Sequence, residues 1–188
     1  EPTVYPRTTG KDGQLIATPK NDWTEGFYPG CLWYIYEHNR EESWKQSAVK
    51  WTEALEPMKK LTSHHDIGFL IYCSFGNGYR LTGKEEYKDV IIEAANSLTT
   101  RFSEVTGCIK SWNYRKAWNG KDEWFYPVII DNMMNLELLY FASKVTGDTR
   151  YAKIATTHAE TTAKNQLRED YSNYHVVAVS YTHLTLPT

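Results

Sequence analysis

Two aspartates, Asp66 and Asp131, each stand in an otherwise apolar stretch of the chain. Asp66 lies in the segment SHHDIGF (63–69), and Asp131 lies in the segment PVIIDNMMNL (127–136). Burying an ionised carboxylate is costly unless the group is paired or its pKa is shifted, so this placement indicates a function. Two carboxylates that converge on one point are the minimal equipment for general acid/base chemistry on a sugar.

The two aspartates also occupy matching positions of an internal repeat. Three helices with a single apolar face are predicted, and each begins at an aromatic residue, namely Trp44, Tyr87 and Tyr151. The residues that precede these three by 21, 21 and 20 positions are, respectively, Trp23, Asp66 and Asp131. We therefore expect the fold to place Trp23 and both aspartates at the start of successive repeats.

Each repeat is predicted to be a pair of helices joined by a polar turn. The first helix of each pair (29–37, 67–80 and 128–144) is apolar on several faces and is enclosed, whereas its partner has one apolar face and lies outside. A period of about 43 residues, interrupted by an insertion at 103–126, is typical of helical solenoids. The same alternation also builds a closed α/α toroid, in which the inner helices begin at one end of the ring.

Composition narrows the function classes. The chain has 188 residues and a formal net charge of −2, which suits one domain and gives no support to nucleic-acid binding. It contains no apolar run of about 18 residues that would cross a membrane. Its cysteines, Cys31, Cys73 and Cys108, are odd in number and lack metal-ligand spacing. The 7 Trp and 14 Tyr residues suit a carbohydrate cleft, because sugar faces stack on such rings.

Four ordered segments resemble the motifs of the unsaturated glucuronyl hydrolases, glycoside hydrolase family 88. They are DWTEGFYPGCLW (22–33), HHDIGF (64–69), IDNMMNL (130–136) and DYSNYHVV (170–177). The resemblance covers roughly residues 5–177. It implies an all-α fold, a partial (α/α)6 barrel or six-hairpin toroid, of which the chain forms roughly the first half of the ring.

The resemblance also implies a domain boundary. Residues 1–177 are expected to be the N-terminal part of an (α/α)6 glycosidase domain, because sequences of this family continue well beyond the last motif. Residues 178–188 (AVSYTHLTLPT) break the helical periodicity, and we expect them to be a non-native tail. Further substrate-binding groups of the family come from the missing part, so the fragment itself is expected to be inactive.

The implied activity is that of a hydrolase that uses neither a metal nor an organic cofactor. Members of this family remove 4,5-unsaturated uronic acid from the non-reducing end of lyase-generated oligosaccharides. An aspartate protonates C4 of the vinyl ether, water adds at C5, and the hemiketal that results opens with loss of the glycosidic bond. The expected partner is an unsaturated oligosaccharide, not nucleic acid or a membrane. The sequence does not indicate the oligomeric state or choose between bacterial cytoplasm and periplasm.

Carried over residue by residue, the resemblance makes Asp131 the general acid/base and Asp66 its partner. Two nearby carboxylates resist simultaneous ionisation, so one of them can stay protonated near neutral pH. A single aspartate at the start of a helix is more often an N-cap. The repeat and the motifs together outweigh that alternative.

Four further residues are expected to bind the sugar. Trp23 would stack on its face, and His65 and His175 would donate hydrogen bonds to it. His65 has the alternative role of a buried structural histidine. Within the insertion, Trp118 is the expected aromatic contact, and Trp112 is its rival.

Two other functions remain open at this point. One is that of an unsaturated rhamnogalacturonyl hydrolase, a related toroid that acts on pectin fragments. The other is a non-catalytic helical-repeat module that binds carbohydrate. The presence of both Asp66 and Asp131 favours an enzyme, and the motifs around Trp23 and His65 favour the glucuronyl group. Neither the parent polysaccharide nor tolerance of sulfate can be read from the sequence.

Overall fold

The computed structural model of the chain describes residues 2–179. Its α-helices are α1 (Phe27–Asn39), α2 (Glu42–Glu53), α3 (Ile67–Ile71), α4 (Asn77–Thr82), α5 (Glu85–Thr99), α6 (Leu136–Thr146) and α7 (Thr149–Gln166). A π-helical segment, Tyr72–Gly76, joins α3 to α4, and 3-10 helices span Glu56–Lys60 and Ile130–Asn135. The predicted helix pairs are thereby confirmed, because α2, α5 and α7 each follow a more apolar helix after a short turn.

Short strands accompany the helices in antiparallel pairs. They are β1 (Val4–Thr9), β2 (Leu15–Pro19), β3 (Phe102–Ser103), β4 (Cys108–Ile109), β5 (Arg115–Lys116), β6 (Glu123–Trp124), β7 (Tyr126–Ile129) and β8 (Val176–Val179). Each strand pairs with one other, in the order β1–β2, β3–β4, β5–β6 and β7–β8. The described residues divide into two compact units: unit 1 comprises 2–61 and 67–96, and unit 2 comprises 62–66 and 97–179.

Unit 1 is built around buried aromatic and aliphatic side chains of its helices. Trp33 of α1 is fully buried, and its indole N–H donates to Thr52 Oγ1 of α2 at 2.9 Å, so the ring is buried without an unpaired donor. The start of α1 lies directly against α3, since a Cβ added at Gly26 would be 2.0 Å from Phe69 O. Gly83 ends α4 with a φ of 67°, in the left-handed cap conformation that glycine favours.

Unit 2 contains the helical hairpin α6–α7 and the short strands of the insertion. Leu138 and Leu139 of α6 and Ala155 of α7 are fully buried. His158 of α7 is buried as well, and its Nδ1 accepts a hydrogen bond from Ile109 N–H of β4 at 3.0 Å. Burial lowers the pKa of His158 to about 4, so this ring is a neutral packing residue that anchors β4 to α7.

The third inner helix begins later than the sequence predicts. Residues 126–129 form β7 instead, and a 3-10 helix precedes α6. Pro127 and the β-branched Val128 and Ile129 favour an extended backbone, and β8 supplies the pairing partners. The sequence pattern hides this strand because its partner lies almost fifty residues further along the chain.

The predicted boundary at residue 178 falls inside β8, where Val177 pairs with Val128 and Ala178 with Pro127. The rest of the predicted tail, 180–188, lies outside the described residues. Within residues 2–179, no helix is both long enough and apolar enough to cross a membrane.

Candidate active site

Hydrogen bonds to the insertion fix the backbone beside Asp66. His65 N–H donates to Ser111 O at 2.8 Å, and Ser111 N–H donates to a carbonyl of β7 at 2.8 Å. The Ser111 hydroxyl in turn accepts from Ile129 N–H at 2.9 Å. Because β7 leads directly to Asp131, these bonds bring two aspartates that lie 65 residues apart in the sequence into one part of unit 2.

The imidazole of His65 lies between the two carboxylates. Its Nε2 is 3.2 Å from Asp66 Oδ1 and 3.6 Å from Asp131 Oδ1. On the other side of Asp66, His64 Nδ1 is 3.0 Å from Oδ2. Asp66 therefore has an imidazole against each oxygen, whereas Asp131 Oδ1 is buried and has no hydrogen-bond partner among residues 2–179.

These surroundings shift the two pKa values in opposite directions. Burial alone would raise the pKa of Asp66, but hydrogen bonds from His64 and His65 outweigh it and hold that pKa well below its usual range. Burial raises the pKa of Asp131, and the negative charge of Asp66 adds to the rise, while His65 and His175 oppose it. Asp66 is thus the ionised member of the pair, and Asp131 is the one that holds a proton more readily.

The position of His65 assigns its tautomer. Nε2 faces two carboxylates, which accept hydrogen bonds, so this nitrogen carries the proton. The opposite nitrogen, Nδ1, is buried with no partner among the described residues, and the residue as a whole is 1% exposed. The ring of His65 is therefore buried against the two carboxylates.

Aromatic rings of the insertion form a surface beside the carboxylates, here called the aromatic wall and comprising Trp112, Trp118, Trp124 and His175. Trp118 stacks on His175 with ring centroids 5.8 Å apart and an interplanar angle of 27°. Trp112 lies 6.3 Å from Trp118 and 6.5 Å from His65, so the wall reaches the carboxylate pair. Both predicted rivals belong to the wall, and Trp118, at 58% exposure, presents the more accessible ring.

Strand pairing places His175 next to Asp131. His175 precedes β8, and its carbonyl accepts a hydrogen bond from Ile130 N–H at 3.0 Å. Its side chain is exposed and close enough to Asp131 for its charge to lower the pKa of that carboxyl. Five of the six predicted site residues therefore lie together in unit 2.

The sixth predicted residue, Trp23, belongs to unit 1. Its ring is 42% exposed and contacts Phe27 at 6.0 Å and Phe69 at 6.2 Å between centroids. The Arg7 guanidinium lies 5.5 Å from the centroid of the Trp23 ring and is hydrogen-bonded to Asp22. Trp23 is thus held on two sides while part of its ring stays open to solvent.

The sequence analysis missed two residues of interest, Glu25 and Trp124. Glu25 is fully buried, neither carboxylate oxygen has a partner among residues 2–179, and burial raises its pKa to about 7. The only feature of the sequence that could have pointed to Glu25 was its position inside the motif at 22–33. Trp124 was missed because the pairing of β5 with β6, which sets it opposite Arg115 and beside Trp118, is not visible in the sequence.

Metal chemistry has no obvious ligand set in the described part of the chain. Residues 2–179 contain no group of three or more His, Cys, Asp or Glu side chains that could hold a metal ion.

The chain is similar to unsaturated glucuronyl hydrolases. No protein-family model matches the chain. An unsaturated glucuronyl hydrolase of Formosa agariphila is 45% identical over 175 residues, which is 92% of this chain and 42% of the relative. The chain thus spans less than half the length of this relative.

Solved structures agree with the sequence comparison. An unsaturated glucuronyl hydrolase specific for heparin superposes with a TM-score of 0.88 at 41% identity, covering 95% of this chain and 46% of the other. A Streptococcus agalactiae unsaturated glucuronyl hydrolase mutant, complexed with dGlcA-GalNAc6S, gives a TM-score of 0.73 at 29% identity over 92% of this chain and 40% of the other. The predicted resemblance and the predicted fold class, part of an α/α toroid, are confirmed.

Proposed function

We propose that this chain supplies the acid/base carboxylates of a hydrolase that removes 4,5-unsaturated uronic acid from lyase-generated oligosaccharides. The observation that carries the proposal is the arrangement of Asp66 and Asp131 around His65, with pKa values shifted in opposite directions. One carboxylate that keeps a proton beside one that stays ionised is the pattern of an acid/base pair. The similarity to unsaturated glucuronyl hydrolases supports the substrate class.

In the proposed reaction, protonated Asp131 donates its proton to C4 of the unsaturated ring. Positive charge develops at C5 and on the ring oxygen, and water adds at C5. The water gives one proton to the Asp131 carboxylate, which restores the acid, and its O–H group stays on C5 as the hydroxyl of a hemiketal. The hemiketal then opens by cleavage of the bond between C5 and the ring oxygen, and the C5 hydroxyl proton moves to that oxygen, which leaves a ketone at C5 and a hemiacetal at C1. The hemiacetal breaks down to an aldehyde at C1 and releases the alcohol of the next sugar.

Asp66 and His65 have supporting roles in this proposal. The charge of Asp66 raises the pKa of Asp131 and so helps it to keep its proton. His65 is proposed to position the pair, since its buried ring directs Nε2 at Asp66 Oδ1, 3.2 Å away, and lies 3.6 Å from Asp131 Oδ1. We assign His65 to positioning the pair, in place of the sugar contact that the resemblance implied.

The aromatic wall is proposed to bind the sugar next to the carboxylates. The exposed ring of Trp118, held flat by its stack on His175, offers a stacking surface, and His175 offers an imidazole to a hydroxyl. Trp23, in unit 1, is proposed as a sugar-stacking ring in its own right, because its ring is partly exposed.

The comparisons favour glycosaminoglycan fragments over pectin fragments as substrates. One matched structure is described as specific for heparin, and another was complexed with dGlcA-GalNAc6S. Neither the rhamnogalacturonyl alternative nor a non-catalytic binding module gains support from these names. We therefore propose unsaturated disaccharides of glycosaminoglycans as the substrates to test.

A chimera tests the proposal, since the chain spans 42% of its Formosa agariphila relative. Residues 2–177 replace the aligned segment of that relative, and the parental relative serves as the control. The chimera is expected to abolish the ultraviolet absorbance of dGlcA-GalNAc6S and, in D2O, to leave one deuterium at C4 of the released sugar. The 188-residue chain is expected to stay at background. A folded chimera that leaves the absorbance unchanged, or a product without deuterium at C4, would reject the proposal.

A further inference from the structure

Arg115 is the cation of the hairpin β5–β6 that faces the aromatic wall. In this antiparallel pair, Arg115 lies opposite Trp124, and Lys116 lies opposite Glu123. Directly opposed residues of two strands project from the same face, and successive residues project from opposite faces. Arg115 and Trp124 therefore share the face that bears the wall, and Lys116 projects from the other face.

Two indole rings hold the Arg115 guanidinium in place. Its Cζ lies 5.8 Å from the Trp112 ring centroid and 6.0 Å from the Trp118 ring centroid, within the range of cation–π attraction. A guanidinium attracted to two neighbouring rings loses part of its freedom before any ligand binds. Ligand binding then costs less side-chain entropy at Arg115 than at a surface arginine without such neighbours.

The hydrogen-bonding capacity of Arg115 is unused within the protein. Its side chain is exposed, and the described residues provide neither a hydrogen-bond acceptor nor a carboxylate for its five N–H donors. By contrast, Arg7 and Arg80 bind Asp22 and Glu37. An exposed fork of donors beside aromatic rings is suited to a planar or tetrahedral oxyanion.

The neighbours of Arg115 connect it to the proposed reaction centre. Trp118 stacks on His175, and Trp112 lies 6.5 Å from the ring of His65. The Nε2 atom of His65 is in turn 3.2 Å from Asp66 Oδ1 and 3.6 Å from Asp131 Oδ1. A sugar stacked on Trp118 would therefore present its substituents to Arg115. All of these residues belong to unit 2.

We propose that Arg115 is a specificity-determining residue, which binds an anionic group of an oligosaccharide stacked on the aromatic wall. The inference rests on the proposed function and deepens it. The oxyanion has two possible sources with one chemistry, namely the uronate carboxylate or a sulfate ester on the neighbouring sugar.

Binding measurements on the 188-residue chain test this role. Tryptophan fluorescence reports binding, because the wall carries three of the seven tryptophans. The probes are dGlcA-GalNAc6S and the same unsaturated disaccharide without sulfate. Arg115→Gln is expected to raise Kd for the sulfated probe about three- to tenfold, which is the effect of losing one partly exposed charge pair. Arg115→Lys is expected to have a Kd between those of the wild-type chain and Arg115→Gln.

Lys116→Gln is the matched control, since it removes the same charge from the opposite face of the same strand and should leave both Kd values unchanged. A loss confined to the sulfated probe identifies the sulfate as the bound group, and an equal loss for both probes identifies the carboxylate. Unchanged affinity in Arg115→Gln, an equal loss in Lys116→Gln, or no binding to the wild-type chain would overturn the proposal. Binding does not require turnover. A result that rejects the role of Arg115 in binding can therefore be told apart from a result in which the chimera does not consume substrate.

Discussion

At the scale of single residues, Asp66 and Asp131 differ in their surroundings and not in their chemistry. Asp66 has an imidazole against each oxygen, and Asp131 has one buried oxygen without a partner among residues 2–179. The sequence predicted both aspartates, because each interrupts an apolar stretch at the same point of the repeat. It did not predict their opposite pKa shifts, because these depend on His64 turning back onto Asp66 and on β7 bringing Asp131 to His65.

Replacing Asp66 by Asn is expected to move the alkaline limb of the pH–rate profile to lower pH. The charge of Asp66 raises the pKa of Asp131, so its removal lowers that pKa and Asp131 loses its proton earlier as pH rises. Because the proposed acid must be protonated, kcat then falls at lower pH. The measurement is kcat across pH in the chimera, with the exposed Asp89→Asn as control. An alkaline limb at the wild-type position in a folded Asp66→Asn variant would contradict the coupling.

Glu25 makes a separate prediction about stability. Its folded pKa of about 7 lies above the ordinary value of 4.5, so the folded state binds the proton more tightly than the unfolded state. The free energy of unfolding should therefore fall as pH rises from about 4.5 to about 7, by about 3 kcal/mol at most, since one pKa unit corresponds to about 1.4 kcal/mol. Glu25→Gln stays neutral and should lose this dependence.

Urea unfolding of wild type and Glu25→Gln at pH 5 and at pH 8 measures the effect. The variant is expected to be the more stable chain at pH 8, and the two should be similar at pH 5. Parallel changes in both chains would show that Glu25 is not buried as an uncompensated carboxyl.

At the scale of elements, the helical hairpins were predictable and the strand pairs were not. Apolar periodicity and the glycine turns are local signals, and they located α1, α2, α5, α6 and α7. Strands β5 to β8 depend on pairing between segments, and two of them are only two residues long. The aromatic wall lies in and beside these strands, with Trp124 in β6 and the other rings in the segments that flank β5 and β8. The sequence could therefore name Trp118 and Trp112 as candidates but could not show that both belong to one surface.

Close packing of α1 on α3 gives a prediction for Gly26. Its backbone is right-handed helical, so the substitution Gly26→Ala meets no backbone strain, but the new Cβ would lie 2.0 Å from Phe69 O and 2.7 Å from Leu70 Cα. These are backbone atoms that cannot turn aside, and the free energy of unfolding should fall by about 3 kcal/mol or more. Urea unfolding provides the measurement.

Gly83→Ala is the matched control for Gly26→Ala. It adds the same methyl group where nothing lies within 4 Å, at a φ of 67° that costs a side chain about 1–2 kcal/mol. Equal losses in the two variants would mean that the two helices are not in contact at Gly26.

At the scale of the whole molecule, the sequence period left open whether the hairpins form an open array or a ring. The likeness to a solved unsaturated glucuronyl hydrolase, with a TM-score of 0.88, decides for part of a toroid. The motifs had indicated the same fold through resemblance, since four of them follow in register along the chain. Because the chain spans 42% of its Formosa agariphila relative, catalysis by its carboxylates is best measured in the chimera.

The rate of chromophore loss by the Asp131→Asn variant of that chimera tests the central claim most directly. Asn keeps the shape of the side chain but has no proton to transfer to C4, so kcat is expected to fall about 10²–10⁴-fold while KM changes little. Asp122→Asn, an exposed carboxylate of the insertion, is the control and should retain wild-type kcat. If Asp131→Asn is folded, binds the disaccharide and keeps wild-type kcat, Asp131 is not the acid and the proposed mechanism is wrong.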